Sequence, residues 1–396
     1  MLDLAKHSLL NVEKNFPSKL IQKVQTPCYL ISEPIIEDNC KILKQIQDQT
    51  GAKILLALKA FLLPSTFPII RKYLCGICAS GLFEAKVGSN FFKKEVHTFS
   101  PAYKKEEIEE IASCSTTLIF NSIYQLYNFL PVVKKINPKI QIGLRINPLY
   151  SEIKTKLYDP CQPGSRFGIL PHQLNTDTLQ KIDGFHFHAL CEQDSPTLKN
   201  VLRSVEHHFG NYLYKLKWIN LGGGHHITRQ GYNKDLLMEI IFNLQKKYDL
   251  TVYLEPGEAV VLNAGVLVTK VLDIVENDIK IAILDTSAEN HMPDVLAMPY
   301  RPQIVGAAEP NHYPYTYRLG GITCLAGDII GDYSFKLPLQ REQKLVFTDM
   351  ALYSFVKNTT FNGINLPSII TFNNQQQITF SRHFTYQDFI QKYSSM

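Results

Sequence analysis

A chain of 396 residues with 45% apolar residues, 19% charged residues and a formal net charge of +5 has the makeup of a folded protein, long enough for a barrel-sized domain and a smaller one. The positive charge is dilute and no Lys/Arg block carries interleaved aromatics, which argues against nucleic acid as a partner; Lys93-Lys94, Lys104-Lys105 and Lys246-Lys247 read as solvated faces. No apolar run approaches the length of a membrane span and the amino terminus lacks the apolar core of a signal peptide, so a cytoplasmic protein with no membrane contact is expected.

The first 35 residues contain one strand candidate, Pro27 to Ile31. From Lys53 onward, short apolar runs at 53–58, 74–79, 95–99, 117–120, 140–146, 183–188, 217–221 and 251–255 alternate with stretches of helical periodicity, among them 104–112, 123–133, 197–209 and 234–248. Eight strand-then-helix repeats predict an α/β fold, a (β/α)8 TIM-type barrel over residues 36–262, with its active site at the carboxyl ends of the strands. Beyond about residue 262 the runs Gly265 to Val268, Ile279 to Leu284 and Leu345 to Phe347 predict a second, C-terminal all-β domain over 263–396, which the strand within 1–35 is expected to join. Cys28, Cys40, Cys114 and Cys191 stand singly. Cys75-Gly76-Ile77-Cys78 has a metal or redox spacing, but the second pair of a zinc ribbon is absent and buried strand thiols are expected, with no metal.

Four strand ends carry unusual chemistry. The run Ala52 to Leu58 closes on Lys59, a candidate amine nucleophile or a lysine snorkelling from a core strand. In Gly184-Phe185-His186-Phe187-His188 the two histidines alternate onto one face of a strand. Lys217 to Leu221 runs into Gly222-Gly223-Gly224, either an amide cradle for a phosphate or a plain turn. Val252 to Leu254 ends at Glu255-Pro256-Gly257-Glu258. An amine, a flat ring, an anion nest and a carboxylate are together what pyridoxal 5'-phosphate asks of a protein.

The pattern resembles the fold-type III pyridoxal-phosphate decarboxylases, which join an alanine-racemase-like barrel to a carboxyl-terminal β domain. Ala57-Leu58-Lys59-Ala60, Phe187-His188, Gly222 to Gly224, Glu255-Pro256-Gly257, Gly320-Gly321-Ile322-Thr323-Cys324 and Phe361-Asn362-Gly363 fall in that family's order. Leu190 to Gln193, His291 to Leu296 and Met298 to Pro302 resemble a branch acting on carboxylated polyamines. The resemblance implies that Lys59 bonds the cofactor aldehyde, that His188 stacks on the ring, that Gly222, Gly223 and Gly224 meet the phosphate with Tyr353 nearby, and that Glu255 faces the pyridine nitrogen. It further implies that Cys324 reaches the neighbouring subunit's active site in a homodimer with shared sites, and that Cys324 or Lys59 returns a proton to the substrate carbon.

One position departs from the pattern. Ornithine and diaminopimelate decarboxylases carry arginine after Glu-Pro-Gly, and this chain carries Glu258, an acid suited to a cationic amine. Glu258 and Asp294 are therefore the expected contacts for the amine tail of a polyamine substrate, although either acid can instead be solvated or paired with a neighbour such as Arg301. A diaminopimelate decarboxylase or racemase would want a cation there. A zinc-dependent hydrolase using His186, His188, His225 and His226 would leave Lys59 and the glycines without a joint role. A catalytically dead partner-binding homologue is at odds with the intact Lys59 and Cys324.

Overall fold

The computed structural model describes Val12, residues 15–298 and residues 300–394; Pro299, part of one resemblance motif, lies outside the described residues. The chain divides into two compact units, one of Glu37–Val260 and the other of the chain on either side of it. Strand β1 (Cys28–Ser32) belongs to the second unit and is buried at all five residues. A helix over Glu33–Thr50 follows it.

The barrel strands are β2 (Lys53–Ala57), β3 (Gly76–Ala79), β4 (Glu95–Phe99), β5 (Thr117–Phe120), β6 (Gln141–Arg145), β7 (Gly184–His186), β8 (Trp218–Asn220) and β9 (Thr251–Leu254). All pair in parallel, each with its sequence neighbour, and β2 closes on β9 through Lys53 opposite Tyr253 and Ile54 opposite Leu254. Helices over Ile108–Cys114, Ile123–Ile136, Ser195–Leu213 and Lys234–Tyr248 lie between them in sequence, close to the periodic stretches read above. Five of the eight predicted strands run one or two residues past the observed ends, and the other three end where predicted. Lys59, His188 and Glu255 accordingly stand just beyond β2, β7 and β9, in the loops that build a barrel's active face.

Large and small residues complement each other inside the barrel. A Cβ on Gly143 or Gly184 would lie 2.6 or 2.1 Å from the Trp218 ring, so the indole fills the space that these two strands leave empty. Leu55, Ile119 and Tyr253 pack with it. The two cysteines of the Cys75–Cys78 spacing part company, as a separation of three on an extended chain requires. The Cys75 thiol donates to Gln47 Oε1 at 3.1 Å, whereas Cys78 lies where the charge of Glu255 acts on it.

The second unit is a mostly antiparallel sheet built from β1, β10 (Gly265–Asn277), β11 (Ile279–Leu284), β12 (Ala307–Ala308), β13 (Tyr315–Gly320), β14 (Ile329–Phe335), β15 (Lys344–Phe347), β16 (Ser368–Phe372) and β17 (Ile378–Arg382). Their order is β12-β14-β13-β11-β10-β1-β16-β17, with β15 also on β10. The expected pairing of the early strand is found: β1 lies between β10, antiparallel, and β16, parallel. Tyr29 from β1 packs with Leu267, Tyr333 and Phe347 in the core of this unit.

Candidate active site

The turns after β2 and β9 are built against each other. Ala57 N–H donates to Pro256 O at 3.2 Å, and a Cβ on Gly257 would sit 2.4 Å from the Cβ of Ala60, so the glycine of Glu-Pro-Gly is what allows the two turns to close. Lys59 is exposed on the first of them, which favours its reading as a reachable amine over a snorkelling core lysine. Glu255, on the second, is buried. Its Oε1 accepts from Asn220 Nδ2 at 2.6 Å and its Oε2 from His186 Nε2 at 3.2 Å.

A carboxylate only accepts, so His186 carries its proton on Nε2. Burial lowers the His186 pKa and keeps the ring neutral, against the pull of Glu255. Burial would raise the Glu255 pKa, but His186, His97 and the Asn220 amide outweigh it and hold the carboxyl below its usual range. Burial and the Glu255 charge push the Cys78 thiol well up, so it stays protonated.

His188 follows β7 with its ring turned to the glycine loop. Its Nδ1 accepts from Gly223 N–H at 2.9 Å, which leaves the proton of the neutral ring on Nε2. Burial, then the charges of Lys59 and Arg145, lower its pKa well below the ordinary value. Arg145 is itself buried, its guanidinium 4.5 and 4.4 Å from the ring centres of Phe99 and Phe167 and its Nη2 donating to His188 O at 3.3 Å.

The three glycines are needed first for closeness. Gly222 and Gly224 have φ of +73° and +84°, and Cβ atoms there would lie 2.4 and 1.9 Å from the carbonyl oxygens of Phe187 and Leu190. Their amides are not equivalent. Gly222 N–H donates to Asn220 Oδ1 at 2.9 Å and Gly223 N–H to His188, while Gly224 N–H has no acceptor among the described residues. Of the expected cradle, one amide is uncommitted and two are spent on Asn220 and His188.

A second cluster lies three residues beyond Glu255. Glu258 opens a short helix, Glu258–Val261, and accepts from His226 Nε2 at 2.9 Å, with the two side chains 11% and 12% exposed. Glu192 joins them from a left-handed backbone with φ +54°, so that the ligand atoms of Glu192, His226 and Glu258 all lie within 4.8 Å of one another. Burial and the Glu258 charge raise the Glu192 pKa. This is the group among the described residues spaced to hold a cation, and it contains only one of the four histidines of the hydrolase reading. Sequence reading missed Glu192 as a site residue. The signal was its place in Leu190-Cys191-Glu192-Gln193, within two residues of a strand-end loop.

The remaining expected residues belong to the sheet unit. Cys324 is exposed and its N–H donates to Asn362 Oδ1 at 2.7 Å, which joins the Gly320–Cys324 and Phe361–Gly363 motifs. Asp328 fixes the same loop, accepting from Thr323 Oγ1 at 2.7 Å, Ser287 Oγ at 2.9 Å and Ala288 N–H at 2.8 Å. Asp294 accepts from Lys357 Nζ at 2.6 Å, and that ammonium stands 5.3 Å from the ring centre of Tyr353, which has φ +39°. Arg301 is not the partner of Asp294; it reaches Asp332 O and Glu309.

A family model described as pyridoxal-dependent decarboxylase, C-terminal sheet domain, matches residues 28–351. The chain belongs to the pyridoxal-dependent decarboxylases. It is 42% identical to a carboxynorspermidine/carboxyspermidine decarboxylase of Campylobacter jejuni over 93% of this chain and 98% of that one. It is 39% identical to a carboxyaminopropylagmatine decarboxylase of Synechocystis over 93% and 95%. The crystal structure of carboxynorspermidine decarboxylase from C. jejuni, complexed with norspermidine, superposes with a TM-score of 0.86 at 41% identity, covering 93% of this chain and all of that one. The cofactor of this decarboxylase is pyridoxal 5'-phosphate. The residues present suit it: an exposed amine, a buried ionised carboxylate with lone pairs to spare, a neutral imidazole and an uncommitted amide.

Proposed function

We propose that this decarboxylase removes carbon dioxide from carboxynorspermidine or carboxyspermidine in polyamine biosynthesis, releasing norspermidine or spermidine. The observation that carries the reading is the 42% identity to the C. jejuni decarboxylase across nearly the full length of both chains, supported by an acid, Glu258, after Glu-Pro-Gly. Residues 36–262 are the cofactor-binding domain, and 263–396 with the strand from 1–35 are the sheet domain. The enzyme is a cytoplasmic homodimer.

Bound pyridoxal phosphate supplies the electron sink for the pair left when carbon dioxide departs. Lys59 supplies the amine for its aldehyde. Glu255, ionised and braced by His186 and Asn220, keeps the pyridine nitrogen protonated. His188, fixed by Gly223, would stack on the ring, and the Gly222–Gly224 loop would meet the phosphate with the Gly224 amide, joined by Tyr353. Glu258 and Asp294 receive the ammonium groups of the tail; at Asp294 the tail competes with Lys357. Cys324, exposed on its loop, serves the partner subunit's site, where it or Lys59 returns the proton.

Borohydride reduction of the yellow holoenzyme and peptide mapping should label Lys59; a label on another lysine would overturn that role. Mixed Lys59→Ala and Cys324→Ala subunits should recover activity, and no recovery despite demonstrated exchange would remove the shared site. The Synechocystis relative favours a second substrate, carboxyaminopropylagmatine. Comparing kcat/KM for the three carboxylated polyamines and diaminopimelate decides among them, and the polyamine reading fails if diaminopimelate is the best substrate.

A further inference from the structure

Beneath Glu255, the barrel interior holds a polar group that the site described so far does not use. Glu95, at the start of β4, accepts from Lys53 Nζ at 2.6 Å, from Tyr253 OH at 3.1 Å and from His97 Nε2 at 3.3 Å. Burial would raise the Glu95 pKa, but His97 and Lys53 outweigh it and hold it at about 2, so the carboxylate is ionised. The His97–Glu95 hydrogen bond therefore puts a proton on Nε2, which also meets Thr117 Oγ1 at 3.2 Å, and Nδ1 is left for a second partner.

That Nδ1 is buried and has no protein partner among the described residues. The same holds for the indole Nε1–H of Trp218, a donor, whose ring centre lies 6.2 Å from that of His97. One water that accepts from the indole N–H and bonds Nδ1 would satisfy both atoms.

We propose that His97 is a positioning residue for Glu255, held at Nε2 by Glu95 and at Nδ1 by a buried water shared with Trp218. The mechanical link is Tyr253. Its hydroxyl donates to Glu95, its ring centre is 4.7 Å from that of His97, and it lies in β9 two residues before Glu255, which follows the strand directly. The role rests on the reading of Glu255 as the partner of the pyridine nitrogen.

Trp218 is the one tryptophan in the sequence, so tryptophan-labelled protein gives a single indole N–H resonance. In the holoenzyme it should show a cross-peak to a long-lived water, and its absence would overturn the bridge without any mutation. His97→Gln keeps a donor near Glu95 but loses Nδ1, and should abolish that cross-peak. His97→Asn keeps a polar atom at the Nδ1 position but loses Glu95, and should preserve the cross-peak while raising the pyridoxal phosphate concentration at half occupancy by about tenfold, more than Gln does. The opposite ranking, or no change in cofactor retention for either variant, would overturn the positioning role. If Glu255→Gln leaves cofactor retention and turnover untouched, the reading of Glu255 fails instead.

Discussion

Two glutamates three residues apart, each bonded to a histidine, end up in opposite electrical situations. Glu255 is buried among donors: His186 takes one oxygen, Asn220 the other, and among the described residues no second acid is bonded to the same pair. Glu258 also holds a histidine, but Glu192 is brought against the same pair, and the cost shows in the raised pKa of Glu192. The first arrangement is complete as a carboxylate and suits a fixed role beside one cofactor atom. The second sets two acids against one histidine, an arrangement that a cation would relieve. The same pair of residue types thus gives a brace in one place and, in the function proposed above, an ammonium receptor in the other.

The sharpest way to break this contrast is to neutralise both acids without changing their shape. Glu255→Gln keeps an acceptor for His186 but removes the charge proposed to keep the pyridine nitrogen protonated, and kcat at saturating cofactor should fall on the order of a hundredfold. Glu258→Gln leaves the inner brace alone. It should lower kcat/KM on the polyamine substrates by about tenfold, and spare the cofactor absorbance. Steady-state kinetics on both variants tests the pair: equal losses, or a larger loss at Glu258, would erase the distinction between brace and receptor.

The inner site was more legible in the sequence than the outer one, for a physical reason. Lys59, His188, the glycines and Glu255 each follow a short apolar run, and strand periodicity alone sends such residues to one rim of a barrel. What the runs could not tell was the state of each group. That Gly222 and Gly223 amides are already spent depends on where Asn220 and His188 arrive, and the latter comes from another strand. Glu192 was invisible as a site because its position turns on a left-handed backbone and on His226 and Glu258, both distant in sequence. Asn220 and His97, which bear on Glu255, carry no motif at all.

Glu192 gives the smallest effect and the one whose sign is most informative. Its carboxyl binds a proton more tightly in the folded chain than in the unfolded one, because burial and the Glu258 charge both disfavour the anion. Stability from this group therefore falls as pH rises through and above the usual carboxylate range, and the full penalty is present at neutral pH. Glu192→Gln removes it. At neutral pH the variant should melt about a degree higher, a modest gain because solvent still reaches the side chain and screens it, and the difference should vanish in acid where both states are protonated. The same substitution should weaken substrate binding, raising KM about threefold with kcat little changed. A stabler protein that binds its amine less well is the signature of repulsion held in reserve for a cationic ligand. If calorimetry instead finds the variant less stable, the Glu192 carboxylate is already compensated within the free protein, and the outer cluster is a second brace and no receptor.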